Sequence, residues 1–188
     1  MAQKKKARSP KSSELLEVVD SRNRCLGAMP RDEVHQQGLM HRSVLVLLYN
    51  KQHKLYLQQR SKEKAVHPGC WDLSATGHVL AGESRQEAAC RELEEELRIR
   101  ARSLYLLHEL PASKDTGFAF VSLFSTGPVA EEPLPKAQEA VGGLFVEPHE
   151  LDYLIRDFPH LLTPALIHLW RLGCLFSAQP GAALTYRV

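Results

Sequence analysis

Apolar positions along the chain follow two rhythms. From Ser43 to Tyr49 the run Ser-Val-Leu-Val-Leu-Leu-Tyr is continuous, the pattern of a strand covered on both faces. After the polar turn Asn50-Lys-Gln-His53, Lys54 to Arg60 alternates, which predicts a second strand returning along the first. Leu15–Val19 and Cys25–Met29 read as a further strand pair across the turn Ser21-Arg22-Asn23, and Ser74–Leu80 as a short extended segment. Later strands are expected at Leu104–Leu110, Phe118–Phe124 and Gly143–Val146. Helices are expected from Pro30, over Ser84–Leu97 after Gly82 and Glu83, and near Pro148–Arg156 and Pro159–Leu175. Ser61–Cys70 and the proline-rich Pro128–Pro135 read as surface loops. Strands lead, one helix interrupts, strands resume and helices close the chain. That order predicts an α/β fold in which a mixed sheet carries helices on both faces.

Composition narrows the function classes. The 188 residues are 44% hydrophobic and 24% charged, ordinary globular usage that excludes wholesale disorder and leaves a core able to fold without disulfides. Residues 1–13 carry five basic groups and no acidic one, which leaves 19 basic against 22 acidic residues over 14–188. The body is thus mildly acidic, and nucleic-acid binding by the folded part gets no support from charge. Residues 1–13 are expected to be a disordered basic tail, 14–178 one domain and 179–188 a C-terminal tail. Cys25, Cys70, Cys90 and Cys174 lie far apart without a Cys-x-x-Cys pair, and no apolar run approaches a membrane span. The expectation is a soluble cytoplasmic protein without a membrane partner.

One segment carries chemistry: Gly77-His-Val-Leu-Ala-Gly-Glu83, then Arg91-Glu92-Leu93-Glu94-Glu95-Glu96-Leu97-Arg98-Ile99. On a helix of about 100° per residue, Glu95 lies roughly 60° to one side of Glu92 and Glu96 roughly 40° to the other. Leu93, Leu97 and Cys90 form the adjoining apolar face. Like charges so close destabilise a helix by a few tenths of a kcal/mol per pair, and more when partly buried, unless a cation neutralises them. Oxygen-only ligands suit Mg²⁺ or Mn²⁺. Arg91 can pair with Glu87 or Glu95 along the helix, or reach across to Glu83 and fix the loop.

At these residues the chain resembles the Nudix family, whose signature reads Gly-x5-Glu-x7-Arg-Glu-U-x-Glu-Glu-x-Gly-U with U aliphatic. Every fixed position matches except the last glycine, here Arg98, which predicts modest strain at the helix end rather than a lost ligand. The resemblance implies an α/β/α sandwich with a mixed β-sheet and a hydrolase acting on a small-molecule diphosphate with Mg²⁺ or Mn²⁺. It implies that Glu92, Glu95 and Glu96 hold the metal, with the Gly77 carbonyl as a further ligand. Among the catalytic set it places Arg91, which with Glu83 holds the loop against the helix. One helix glutamate, or downstream Glu139, would take the proton of the attacking water.

Leu57 to His78 resembles more narrowly the branch of uncharacterised Nudix hydrolases related to isopentenyl-diphosphate isomerase. That resemblance implies substrate binding by Arg60 and Lys64, which match the isomerase's diphosphate grips, and by His78, which matches a metal-binding histidine. His35 and His41 resemble the upstream histidine pair but stand one residue closer together, and are read as ordinary polar positions. Thr76 replaces the isomerase cysteine, and Gly117–Phe124 lacks the isomerase carboxylates, so isomerisation is disfavoured. The alternatives are such an isomerase and a non-catalytic diphosphate-binding module. Trp71 and Phe118 are read as packing residues rather than base-stacking ones. Oligomeric state is open, a homodimer included.

Overall fold

The computed structural model describes residues 14–176 and 184–187. The expected basic tail, 1–13, lies outside the described residues. The chain opens with a hairpin, β1 (Leu15–Val19) and β2 (Cys25–Pro30), followed by α1 (Arg31–Gln37). The strands β3 (His41–Asn50), β4 (Leu55–Arg60), β5 (Trp71–Asp72) and β6 (Ala75–His78) precede α2 (Arg85–Leu97). After it come β7 (Ser103–Leu110), β8 (Ala119–Val129), β9 (Ala140–Val146), α3 (Pro148–Asp157), α4 (Pro164–Arg171) and β10 (Leu184–Arg187). The main sheet runs β10-β7-β8-β3-β4-β5, with β6 also paired to β3 and β9 to β4. Among the described strands, β3 and β8 pair in parallel, from His41 opposite Ala119 to Asn50 opposite Val129, and the other strand pairs of this sheet are antiparallel, so the sheet is mixed.

Alternation along β3 divides the interior. Val44, Val46 and Leu48 join Ala88, Ala89, Leu93 and Leu97 of α2 in one fully buried cluster. Leu45 and Leu47 join Leu151 of α3 and Leu166 and Leu169 of α4 in the other. Each side has a helix layer, which makes the α/β/α sandwich. A fully buried leucine contributes about 1.5–3 kcal/mol, so Leu93 and Leu97 fix α2 and its acidic flank to the sheet.

Several elements depart from expectation. The helix expected over 159–175 is a 3-10 turn at Pro159–Leu161 followed by α4. Thr163 caps α4 by accepting from the Leu166 N–H, and Pro164 fits its first position, so the two prolines start two separate turns. β8 runs into the expected loop as far as Val129, because one extra residue bulges near Gly127 and accommodates Pro128. Where a tail was expected over 179–188, residues 184–187 pair with β7. Among the described residues no helix is long and apolar enough to cross a membrane.

Candidate functional site

The loop entering α2 is fastened by its own side chains. The Ser84 hydroxyl accepts from the Glu87 N–H at 3.2 Å and the Glu87 carboxylate accepts from the Ser84 N–H at 2.8 Å, a reciprocal cap. Glu83 accepts from the Leu80 N–H at 3.0 Å, and its two oxygens take Nε and Nη2 of Arg91 at 2.8 and 2.9 Å. Arg91 also donates to the His78 carbonyl at 2.9 Å and to Glu92 at 2.6 Å. One guanidinium thus joins the strand end, the loop and the helix, and the Glu83 bonds above all push its pKa still higher. At the far end, Arg98 takes the left-handed conformation (φ 57°), its N–H donates to the Glu94 carbonyl at 3.0 Å, and the Ile99 N–H donates to the Leu93 carbonyl at 3.4 Å. Arginine therefore makes the turn usually left to glycine.

The three carboxylates differ in exposure. Glu92 and Glu96 are buried (5% and 4% exposed), whereas the side chain of Glu95 is half exposed, 3.8 Å from Arg91. Glu92 lies over Gly77 so closely that a Cβ there would fall 1.9 Å from its carboxyl carbon. Only glycine permits that approach. Glu96 accepts from Gln58 Nε2 at 2.8 Å and from the Thr76 N–H at 3.3 Å. Gln58 Oε1 is buried with no hydrogen-bond partner among the described residues. Its amide cannot simply be turned over, since its NH₂ serves Glu96.

A hard divalent cation fits this donor set: three carboxylates, the Gly77 carbonyl of the adjoining strand and the amide oxygen of Gln58 are all oxygens. Gln58 escaped the sequence reading. Its signal was its phase on β4, since it follows Tyr56 by two positions, toward α2, where a polar residue needs a polar neighbour.

On the other side of β6 the ring of His78 meets two histidines. His35 and His78 approach at 3.0 Å between their Nε2 atoms, His41 and His78 stack at 5.2 Å, and candidate ligand atoms of all three lie within 4.8 Å. His41 Nδ1 lies 2.9 Å from the Leu39 carbonyl, an arrangement in which Nδ1 donates and Nε2 is left as the acceptor. Burial lowers the pKa of His35 and His41, favouring neutral rings. His35 and His41, read as ordinary polar positions, thus stand in a cluster assembled from α1, β3 and β6.

Arg60 and Lys64 are engaged within the protein. Arg60 pairs with Asp72 at 2.9 Å and donates to the Val66 carbonyl from Nε and Nη2, while Asp72 also accepts from the Thr163 hydroxyl at 2.7 Å. Lys64 pairs with Glu139. The expected phosphate grips therefore brace the loop between β4 and β5. Trp71 packs partly buried against the α3–α4 core, but Phe118 is 39% exposed in a left-handed conformation (φ 61°).

Comparisons with known proteins accord with this geometry. The NUDIX domain model matches residues 39–165. An uncharacterised Nudix hydrolase of Pseudomonas aeruginosa is 47% identical over 93 residues, which are 50% of this chain and 55% of that protein, so the match spans about half of that relative. An isopentenyl-diphosphate Delta-isomerase of Streptomyces coelicolor is 34% identical over 144 residues, 73% of either chain. A crystal structure from Deinococcus radiodurans superposes with a TM-score of 0.75 at 26% identity, covering 85% of this chain and 98% of that one. With the loop, the capped helix and its acidic flank in place, the chain belongs to the Nudix family.

Proposed function

We propose that this protein is a divalent-metal-dependent hydrolase that cleaves the diphosphate linkage of a nucleoside-diphosphate derivative or another organic diphosphate. The observation that carries this reading is the pair of buried carboxylates, Glu92 against Gly77 and Glu96 against Gln58, on one flank of a helix docked by Leu93 and Leu97. Burying two acids so close together is costly without a cation. Mg²⁺ or Mn²⁺ held by Glu92, Glu95, Glu96 and the Gly77 carbonyl would supply neutralisation of the charge developing on phosphate.

The chain's own groups have separable tasks in this reading. Glu83 and Arg91 keep the Gly77 loop at its distance from α2, and Gln58 orients Glu96. Glu95, the half-exposed carboxylate, has the access to solvent needed to take a proton from water. Arg60 and Lys64 would meet substrate phosphate only by exchanging their present partners, Asp72 and Glu139.

The histidine cluster and the Streptomyces relative favour a second reading, isomerisation of an isoprenoid diphosphate. Thr76 holds the position of the isomerase cysteine, and β8, Ala-Phe-Val-Ser-Leu-Phe-Ser-Thr-Gly-Pro-Val, contains no acid. Proton transfer at carbon lacks both its partners, and hydrolysis is the better account.

The test is a hydrolysis screen with Mg²⁺ or Mn²⁺ over nucleotide sugars, dinucleotide cofactors, damaged nucleotides and isoprenoid diphosphates. Glu95→Gln and Glu96→Gln are each expected to reduce turnover on the order of a hundredfold. Full activity in both variants overturns the site. Deuterium uptake from solvent into isopentenyl diphosphate would select isomerisation, and ligand binding without turnover across the panel a non-catalytic module.

A further inference from the structure

One border of the main sheet is left open. β9 (Ala140–Val146) pairs with β4 along one side, and among the described residues no strand pairs with its other side. Such a border offers a row of backbone donors and acceptors to any strand that meets it, and folded proteins usually guard it with a lysine, a proline or an inward charge. The sequence Ala-Val-Gly-Gly-Leu-Phe-Val has none of these. Val141 is 60% exposed and Leu144 39% exposed. Leu144 also lines an open apolar groove of about 500 Å³ against Tyr153 and Leu154 of α3, and Tyr153 is itself half exposed.

The strand is complementary to itself. In an antiparallel pair of two copies about a two-fold axis at Gly143, Leu144 of each copy stands opposite Gly142 of the other, on the same face. A Cβ at Gly142 would meet nothing within 4 Å, so there is room for that leucine. On the other face Val141 stands opposite Phe145, whose ring is already backed by Tyr56 at 5.2 Å between centroids. An aromatic ring across from a β-branched residue is one of the favourable cross-strand pairs. The fit is reciprocal, each copy giving the leucine and the glycine, as a contact about a two-fold axis requires.

Charge fixes the same register. Moving the axis to Gly142 would set Phe145 against Glu139, and moving it to Leu144 would set Val141 against Glu147. With the axis at Gly143 all seven residues of β9 pair with one another and both acids fall outside the strand. There each already holds a lysine of its own chain, Glu139 with Lys64 and Glu147 with Lys54, so no unbalanced charge keeps a second copy away.

We infer that β9 is a homodimer interface, at which a second copy of this chain pairs antiparallel about Gly143 and continues the sheet. Gly143 lies directly across from Gln58 of β4, which donates to Glu96, so the seam stands one strand away from each candidate metal site.

The experiment is sedimentation velocity on the full chain over about 1–100 µM, the range in which a modest interface assembles. Wild type is expected to reach twice the mass of one chain. Leu144→Lys and Val141→Lys are each expected to weaken association about a hundredfold, since the axis brings two like charges together. Both positions are exposed in the single chain, so the urea midpoint of the monomer should not move. Leu144→Glu is expected to be monomeric alone and to form a heterodimer when mixed with Leu144→Lys, a rescue that damaged folding could not give. Wild type that stays monomeric throughout the range overturns the interface. So do lysine variants that associate as wild type does, and a mixture of Leu144→Glu and Leu144→Lys that stays monomeric.

Discussion

The carboxylate of Glu92 occupies the space in which any side chain on Gly77 would stand, with Oε1 2.0 Å from the position of a Cβ. A strand and a helix thus meet through the missing methyl of one residue and the acid of another. Gly77→Ala must displace the carboxylate, at a cost of about 1–3 kcal/mol. Urea unfolding is expected to show that loss, and Mn²⁺ titration to show weaker binding than in wild type. An alanine variant as stable and as tight-binding as wild type would contradict the contact.

Arg91 acts through a planar fork that lysine lacks. Arg91→Lys keeps the charge but cannot hold Glu83, Glu92 and the His78 carbonyl together. Activity is expected to fall about ten- to a hundredfold, as for other residues that orient metal ligands. Unaltered turnover would mean that the fork is dispensable.

At position 98 the strain is local and separable from the chemistry. Arg98→Gly places the residue suited to φ 57° at the helix end and is expected to stabilise the protein by about 0.5–1 kcal/mol. The urea midpoint should rise with turnover unchanged. A lower midpoint would show that contacts of the arginine side chain outweigh the backbone strain.

Tyr56 gives a pH dependence. Burial above all, with the Glu132 charge second, pushes its hydroxyl up to about 12 from 10.0. Between those values the unfolded chain has lost a proton that the folded protein keeps. Stability is therefore full below about pH 10, falls as pH rises toward 12, and the loss is about 2–3 kcal/mol. Tyr56→Phe should flatten this alkaline limb in urea titrations at successive pH values; an identical slope would refute the assignment.

The acidic helix was legible because its information is local: spacing, cap and apolar face all fall between Gly77 and Ile99. Groups brought together by distant pairing were not. Gln58 reaches Glu96 only when β4 lies under α2, and His35, His41 and His78 meet only after three elements dock. The phosphate expectation for Arg60 and Lys64 came from the resemblance to the isomerase loop and left out the acids Asp72 and Glu139, which the fold brings to them.

The parallel pairing of β3 with β8 also sets an order of assembly. His41 and Ala119 are neighbours across roughly eighty positions of chain, a closure that comes late compared with a helix turn. During synthesis α2 can close its cap soon after Glu87 emerges, whereas β3 has to wait for β8 to leave the ribosome. A nascent chain halted before Ala119 would hold every glutamate of the signature and still expose the unpaired edge of β3, a surface for chaperones rather than for substrate.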